Sequence, residues 1–104
     1  MSNIQLQISI KGEMREFPYN ITITMFINKT VDGRNNHCGK NIAKFRKEMK
    51  ISQRMLADKL QIEGLDVDKN AVQRMESGQR FITDIELIYI AKALDKSFDD
   101  LFNL

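Results

Sequence analysis

Residues 52–76 predict two short helices that hold each other at a fixed angle, and no other stretch constrains the fold as strongly. Ser52 can cap the first helix, and Leu56 and Leu60 follow at helical spacing. Asp68 can open the second helix, because its carboxylate accepts amide hydrogens of the first turn and favours the positive end of the helix dipole. Gly78 is expected to end it.

The second of these helices has two chemically different faces. Val72 and Met75 are predicted to point inward. The opposite face is polar and consists of Lys69, Asn70, Gln73 and Arg74. Asparagine can pair in a two-pronged way with adenine and lysine can donate to guanine, so this face suits the edges of DNA bases. Alternatively, these side chains only solubilise an exposed helix.

Charge is distributed unevenly along the chain, although the net charge is only +2. Residues 40–54 carry lysines and arginines against the single acid Glu48, whereas residues 84–100 are mainly acidic. This layout suits a module that turns its basic side to phosphates and its acidic side to solvent. Solvated helix faces without any partner are the alternative.

The N-terminal third has the two-residue period of half-buried strands. Residues 4–10 and 19–28 alternate apolar and polar side chains, with a turn predicted at residues 11–13. We therefore expect an antiparallel β-hairpin, followed by a turn-rich linker at residues 32–36. A lone hairpin is marginal in water, so the helical domain or a second copy must cover it. It could bind an effector, dimerise or contact a protein partner.

Beyond Gly39 the apolar period becomes helical. A first helix is predicted to end near Lys50. Thr83 is expected to cap a fourth helix and Ser97 a short fifth one. The predicted inward residues of the fourth helix are Ile85, Ile88, Ala91 and Leu94. The fifth helix carries Phe98, Leu101 and Phe102.

This succession of helices resembles the lambda-repressor-like helix-turn-helix family, in particular its Xre-type branch of bacterial and phage regulators, over residues 39–104. The motifs that carry the resemblance are Phe45-Arg46-Lys47-Glu48, Ile51-Ser52-Gln53, Leu56-Ala57-Asp58-Lys59-Leu60, Val72-Gln73-Arg74-Met75-Glu76-Ser77-Gly78, Ile90-Ala91-Lys92-Ala93-Leu94 and Ser97-Phe98-Asp99-Asp100-Leu101. The resemblance implies a mainly α fold, with a five-helix helix-turn-helix domain at residues 39–104. The N-terminal β-hairpin extension, expected at residues 1–38 from the alternating pattern, lies outside the family pattern.

The resemblance also implies roles for individual residues. Gln53 would lay its amide against a phosphate, and Lys69 and Asn70 would enter deepest into the major groove. The implied DNA-binding residues are Ser52, Gln53, Lys69, Asn70, Gln73, Arg74 and Arg80. Arg46 and Glu76 would form a structural ion pair that orients one helix against another.

One departure from the family pattern is the turn before the second helix of the motif. Residues 61–68 make it about five residues longer than the common version. Glu63 and Asp66 add negative charge close to where phosphates would lie. The extension therefore bears on the depth and angle at which Asn70 would enter a groove.

Enzymatic, metal-binding and membrane functions find no support in the sequence. His37 and Cys38 are adjacent, but the chain has no second histidine or cysteine to complete a metal site. No run approaches the roughly 18 apolar residues of a membrane span, and no signal-peptide pattern opens the chain. We expect a soluble cytoplasmic protein that is not an enzyme and needs no cofactor.

The predicted function is that of a DNA-binding transcriptional regulator, a repressor that binds an inverted repeat as a homodimer. Twofold symmetry doubles the length of the recognised site. The candidate dimer interface is the last helix, through Phe98, Leu101 and Phe102, or else the hairpin. The alternative is an antitoxin or anti-repressor type of protein-interaction module with secondary DNA binding.

Overall fold

The computed structural model of the protein describes residues 28–103. They form five helices: α1 (Gly39–Glu48), α2 (Gln53–Glu63), α3 (Lys69–Ser77), α4 (Asp84–Leu94) and α5 (Phe98–Phe102). This confirms the predicted five-helix, mainly α fold. The predicted β-hairpin, residues 4–28, lies outside the described residues except for residue 28.

Side-chain caps begin four of the helices, as the sequence predicts. The Ser52 hydroxyl accepts from the Met55 amide, and the Asp68 carboxylate accepts from the Ala71 amide. Thr83 and Ser97 each form a capping box at the start of α4 and α5. Such caps satisfy amides that have no partner inside the helix, and each stabilises the helix by about 1 kcal/mol.

The core lies between the five helices and fixes the relative placement of α2 and α3. α2 packs against α3 and α4, while α1 packs against α3, α4 and α5. The largest fully buried side chains are Ile42, Leu56, Leu60, Val72, Met75, Ile90, Leu94 and Leu101. Truncating one of them to alanine would cost roughly 2 to 5 kcal/mol. The angle between α2 and α3 is therefore set by close packing.

Two predictions about α4 and α5 are wrong. Ile85 and Ile88 are 64% and 50% exposed, because they lie five and two residues before the buried Ile90. At about 100° per residue, those offsets place them on the side of α4 away from the core. Leu101, predicted as a dimer-interface residue, is fully buried because it packs into the core.

The segment before α1 contains a turn and is bonded to the end of α3. The Thr30 amide donates to the Arg34 carbonyl at 2.8 Å, which closes a turn, and the Asn35 amide donates to the Gly78 carbonyl at 2.7 Å. Cys38 is buried at the start of α1, and burial raises the pKa of its thiol. We call residues 30–38 the N-terminal strap, since they lie across the C-terminal end of α3.

Candidate nucleic-acid interface

The polar face of α3 is open to solvent along its whole length. Lys69 begins the helix after the Asp68 cap. The four predicted base-reading residues are all exposed: Lys69, Asn70, Gln73 and Arg74. On the opposite face, Val72 and Met75 are 0% and 1% exposed. The structure therefore brings the predicted residues together on one accessible face.

The N-terminal end of α2 presents the predicted phosphate-binding residues. Ser52 is exposed, and because its hydroxyl oxygen accepts from the Met55 amide at 3.0 Å, its hydroxyl hydrogen stays available. The Gln53 side-chain amide donates to Glu76 Oε1 at 2.9 Å. Since this bond uses one hydrogen of the amide, the other hydrogen and the amide oxygen remain for a ligand. Gln53 is thus held in one orientation by α3.

Glu76 joins three helices through its carboxylate. Arg46 Nε lies 2.7 Å from Glu76 Oε2, and Arg46 Nη2 donates to Glu76 Oε1 at 3.1 Å. A third donor, Arg46 Nη1, reaches the Ile51 carbonyl at 2.8 Å. The Arg46 and Glu76 side chains are only 11% and 7% exposed. A bidentate ion pair that is shielded from water restricts the relative orientation of the two side chains. The Arg46–Glu76 pair therefore orients α1, α2 and α3 together.

Side chains of the N-terminal strap cover the C-terminal end of α3. Arg34 Nη2 donates to the Glu76 carbonyl at 2.7 Å, and Asn36 Nδ2 donates to the Met75 carbonyl at 2.9 Å. The last four carbonyls of a helix have no partner within it. Arg34 therefore satisfies a Glu76 carbonyl that would otherwise need water, and Asn36 adds a second donor to the Met75 carbonyl, which also accepts from the Gly78 amide. The sequence analysis missed Arg34 and Asn36, because an asparagine-rich turn gives no local sign of distant acceptors.

Asp32 accepts two hydrogen bonds at the solvent-exposed side of the strap. Its carboxylate accepts from Lys40 Nζ at 2.8 Å and from the Thr30 hydroxyl at 2.5 Å. These hydrogen bonds, from Lys40 first and then Thr30, lower the pKa of Asp32 to about 2. Both groups are exposed to solvent, so the ion pair itself adds little to the stability of the strap.

Arg80 is already paired. Its Nη1 lies 3.0 Å from both carboxylate oxygens of Glu86, whose side chain also caps α4. The Arg80 side chain is 29% exposed. A phosphate would have to compete with this carboxylate, so the structure does not place Arg80 with the open polar face of α3.

The long turn between α2 and α3 is held by one side chain at its base. Gly64 ends α2 in the left-handed conformation, with φ of 113°, and Gln61 Nε2 donates to the Val67 carbonyl at 2.7 Å. Val67 is buried, whereas Glu63 and Asp66 are exposed. The longer turn is therefore compatible with the packing of α2 against α3. It also carries two exposed acidic side chains, Glu63 and Asp66.

Residues 28–103 contain no group of three or more histidine, cysteine and acidic side chains that could hold a metal ion. None of their helices has the length and apolarity needed to cross a bilayer. The features that stand out in the described residues are accordingly the open face of α3 and the start of α2.

Comparison with known proteins places this geometry in a family. The sequence profile of the helix-turn-helix family matches residues 42–101. The chain therefore belongs to the helix-turn-helix family, in its lambda-repressor-like, Xre-type branch of DNA-binding transcriptional regulators.

Among solved structures, the fold is similar to the restriction-modification controller protein C.AhdI from Aeromonas hydrophila. The similarity has a TM-score of 0.55 at 28% identity and covers 62% of this chain and 86% of that one. A search of curated proteins finds no match.

Proposed function

We propose that the protein is a sequence-specific regulator that binds an inverted repeat in double-stranded DNA as a homodimer and represses transcription. The observation that carries the proposal is the open polar face of α3, whose opposite face is locked into the core. The resemblance to a restriction-modification controller protein supports a regulatory role.

In this proposal α3 enters the major groove with its N-terminal end foremost. Asn70 pairs with the edge of an adenine and Lys69 donates to a guanine. Gln73 and Arg74, one turn later, reach the next base or the flanking phosphates. Ser52 and Gln53 bind a phosphate at the start of α2, where exposed amides also favour an anion. We leave Arg80 out of this set because Glu86 holds it.

The homodimer would form through α5. Phe98 and Phe102 are 51% and 46% exposed, and they lie on a helix that already contributes Leu101 to the core. Large exposed aromatic side chains are typical of interfaces. Replacing Phe98 and Phe102 by serine together should shift the protein from dimer to monomer in sedimentation velocity. Such a monomer should also bind half-sites far more weakly than the parent binds a full site.

The test of the proposal is selection of bound duplexes from a random pool. A regulator should enrich one inverted repeat and hold it roughly a thousandfold or more above random sequence. The logarithm of its affinity should fall linearly with the logarithm of salt concentration, by about 0.9 per phosphate neutralised. Enrichment of no sequence, with affinity that does not depend on salt, would contradict the proposal.

Two variants separate base reading from phosphate binding. Asn70→Ala should cost about 1 to 3 kcal/mol and remove discrimination at one base position only, whereas Gln53→Ala should weaken all duplexes alike. The matched control for Asn70→Ala is the parent protein on a duplex altered at that position. If Asn70 reads the base, the variant and the parent should bind the altered duplex equally well.

The second candidate is a protein-interaction module of the antitoxin or anti-repressor type. It is favoured by one observation, the exposed Ile85 and Ile88 on α4. That module would bind another protein with DNA contact secondary. Two results together would favour the protein-interaction module: a co-purified partner that covers α3, and unchanged duplex binding by Asn70→Ala and Gln53→Ala.

A further inference from the structure

The N-terminal strap lies before the part of the chain that matches the family, residues 42–101. Its contacts concentrate on one place, the end of α3 and the loop that follows it. The Asn35 amide and side chain donate to the carbonyls of Gly78 and Gln79, at 2.7 and 2.9 Å. Asn36 Nδ2 additionally reaches the Arg80 carbonyl at 2.8 Å. The strap therefore supplies donors to five carbonyls around the end of the proposed reading helix, those of Met75, Glu76, Gly78, Gln79 and Arg80.

Two glycines allow the strap to lie this close. A Cβ on Gly39 would collide with the Met75 carbonyl and with the side chains of Arg34 and Asn36. On Gly78, a Cβ would lie 2.8 and 2.9 Å from Cγ and Cβ of Arg34. Such distances leave no room for a side chain at either position. The side chain of Arg34 therefore packs directly against the end of α3.

Glu76 connects the strap to the phosphate-binding end of α2. Arg34 holds its backbone carbonyl, while Arg46 and Gln53 hold its carboxylate. Movement of the Glu76 backbone would move the carboxylate that orients the Gln53 amide. The position of the strap is consequently coupled to Gln53 by two hydrogen bonds in series.

We propose that Arg34 and Asn36 are positioning residues for DNA recognition. They fix the C-terminal end of α3, and through Glu76 the Gln53 side chain, so that Asn70 and Gln73 meet a groove at one depth and angle. This inference rests on the proposed function and extends it to residues outside the family motif. In this inference Arg34 acts through the Glu76 carbonyl, to which its Nη2 donates, and not through a phosphate.

The experiment compares Arg34→Ala, Arg34→Lys and Lys92→Ala on the selected duplex. Lys92→Ala removes the same charge from the exposed surface of α4, away from the proposed interface. Arg34→Ala should weaken binding of the selected duplex roughly three- to tenfold, the range for one lost hydrogen bond. Binding of random duplexes and the salt slope should change little. Arg34→Lys, which retains a donor, should recover part of the loss.

Amide hydrogen exchange is the readout that does not depend on DNA. The amides of residues 75–80 should exchange faster in Arg34→Ala than in the parent, while those of α4 should not. Unchanged exchange there would overturn the proposal. So would a parental affinity for the selected duplex, or a salt slope reduced by about 0.9, which would indicate a direct phosphate contact by Arg34.

A milder variant covers the case in which Arg34→Ala does not fold. Asn35→Ala removes the side-chain bond to the Gln79 carbonyl and an exposed bond from Lys29, and keeps the bond from the Asn35 backbone amide to the Gly78 carbonyl. It should show the same selective loss with a smaller size. Equal weakening on selected and random duplexes would contradict positioning. If the parent itself selects no duplex, the proposed function fails and this inference fails with it. If the parent selects a duplex that Arg34→Ala binds equally well, only the inference fails.

Discussion

The two ends of α3 differ in how they are bound to the rest of the protein. At the N-terminal end, Lys69 and Asn70 are exposed, and the Asp68 cap is the main side-chain restraint. At the C-terminal end, Glu76 bonds to α1 and α2, and the strap covers the carbonyls of Met75 and Glu76. One end of the helix is available for a ligand and the other is fixed.

This difference indicates how a nine-residue helix can present side chains accurately. Such a short helix is not stable alone in water, and most helical stability comes from tertiary packing. Restraints that covered the polar face would block a DNA groove. They are placed instead at the far end and on the buried face. Variants that remove these restraints should therefore destabilise the protein to different degrees.

Removal of the ion pair should have the largest effect. Arg46→Met leaves the nearly buried Glu76 carboxylate without its main partner, so the free energy of unfolding should fall by roughly 3 to 5 kcal/mol in urea denaturation. The double variant Arg46→Met, Glu76→Leu should recover most of this loss, because no charge is then stranded. Equal stability of Arg46→Met and the parent would show that the pair does not anchor α3.

The glycine that ends α3 should tolerate alanine less well than the glycine that ends α2. Both Gly78 and Gly64 are left-handed, which costs roughly 1 to 2 kcal/mol with a side chain. Only at Gly78 would the new Cβ also press on Arg34, at 2.8 Å, whereas at Gly64 the nearest atom is Tyr89 Cε1 at 3.5 Å. Gly78→Ala should therefore lower the midpoint of thermal unfolding more than Gly64→Ala. The reverse order would contradict close packing of the strap.

Loss of the cap should affect the open end of α3 alone. Asp68→Ala should destabilise the protein by about 1 kcal/mol, since the Ala71 amide loses its acceptor. Asp66→Ala is the matched control: it removes the same charge two residues earlier, from an exposed side chain. Denaturation curves should separate the two variants. Identical losses would mean that the charge at this end, and not the cap, matters.

The smallest effect is expected at the outer side of the strap. The pKa of Asp32 is about 2, below its ordinary value of 3.8, because Lys40 and Thr30 donate to the carboxylate. A lowered pKa stabilises the fold above about pH 4, and the contribution is lost as the pH falls towards 2. Carboxyl NMR titration of Lys40→Ala should show the Asp32 pKa raised. An unchanged pKa would contradict the ion pair.

Local signals in the sequence predicted much of the fold. Ser52, Asp68, Thr83 and Ser97 cap helices where expected, because capping depends on residues only three apart. The polar face of α3 was also predictable, since Val72 and Met75 define its buried side. Such features are encoded within one turn of helix.

The sequence does not predict contacts between distant parts of the chain, or the face of α4 that they bury. The sequence around Arg34 and Asn36 predicts only a turn-rich segment, since their acceptors lie about forty positions away on α3. Ile85 and Ile88 were wrongly assigned to the core because α4 is apolar on more than one side, so its periodicity does not identify the buried face. The division of the chain at residue 39 stays a prediction, as does the hairpin.

We expect the exposed face of α3 to contact DNA while its far end stays anchored. NMR titration of the protein with its selected duplex tests this most directly. The side-chain amides of Asn70 and Gln73 should shift strongly, and the Arg46 Nε signal, protected by Glu76, should persist nearly unchanged. Shifts confined to α4 and α5, with the signals of Asn70 and Gln73 unmoved, would contradict the account.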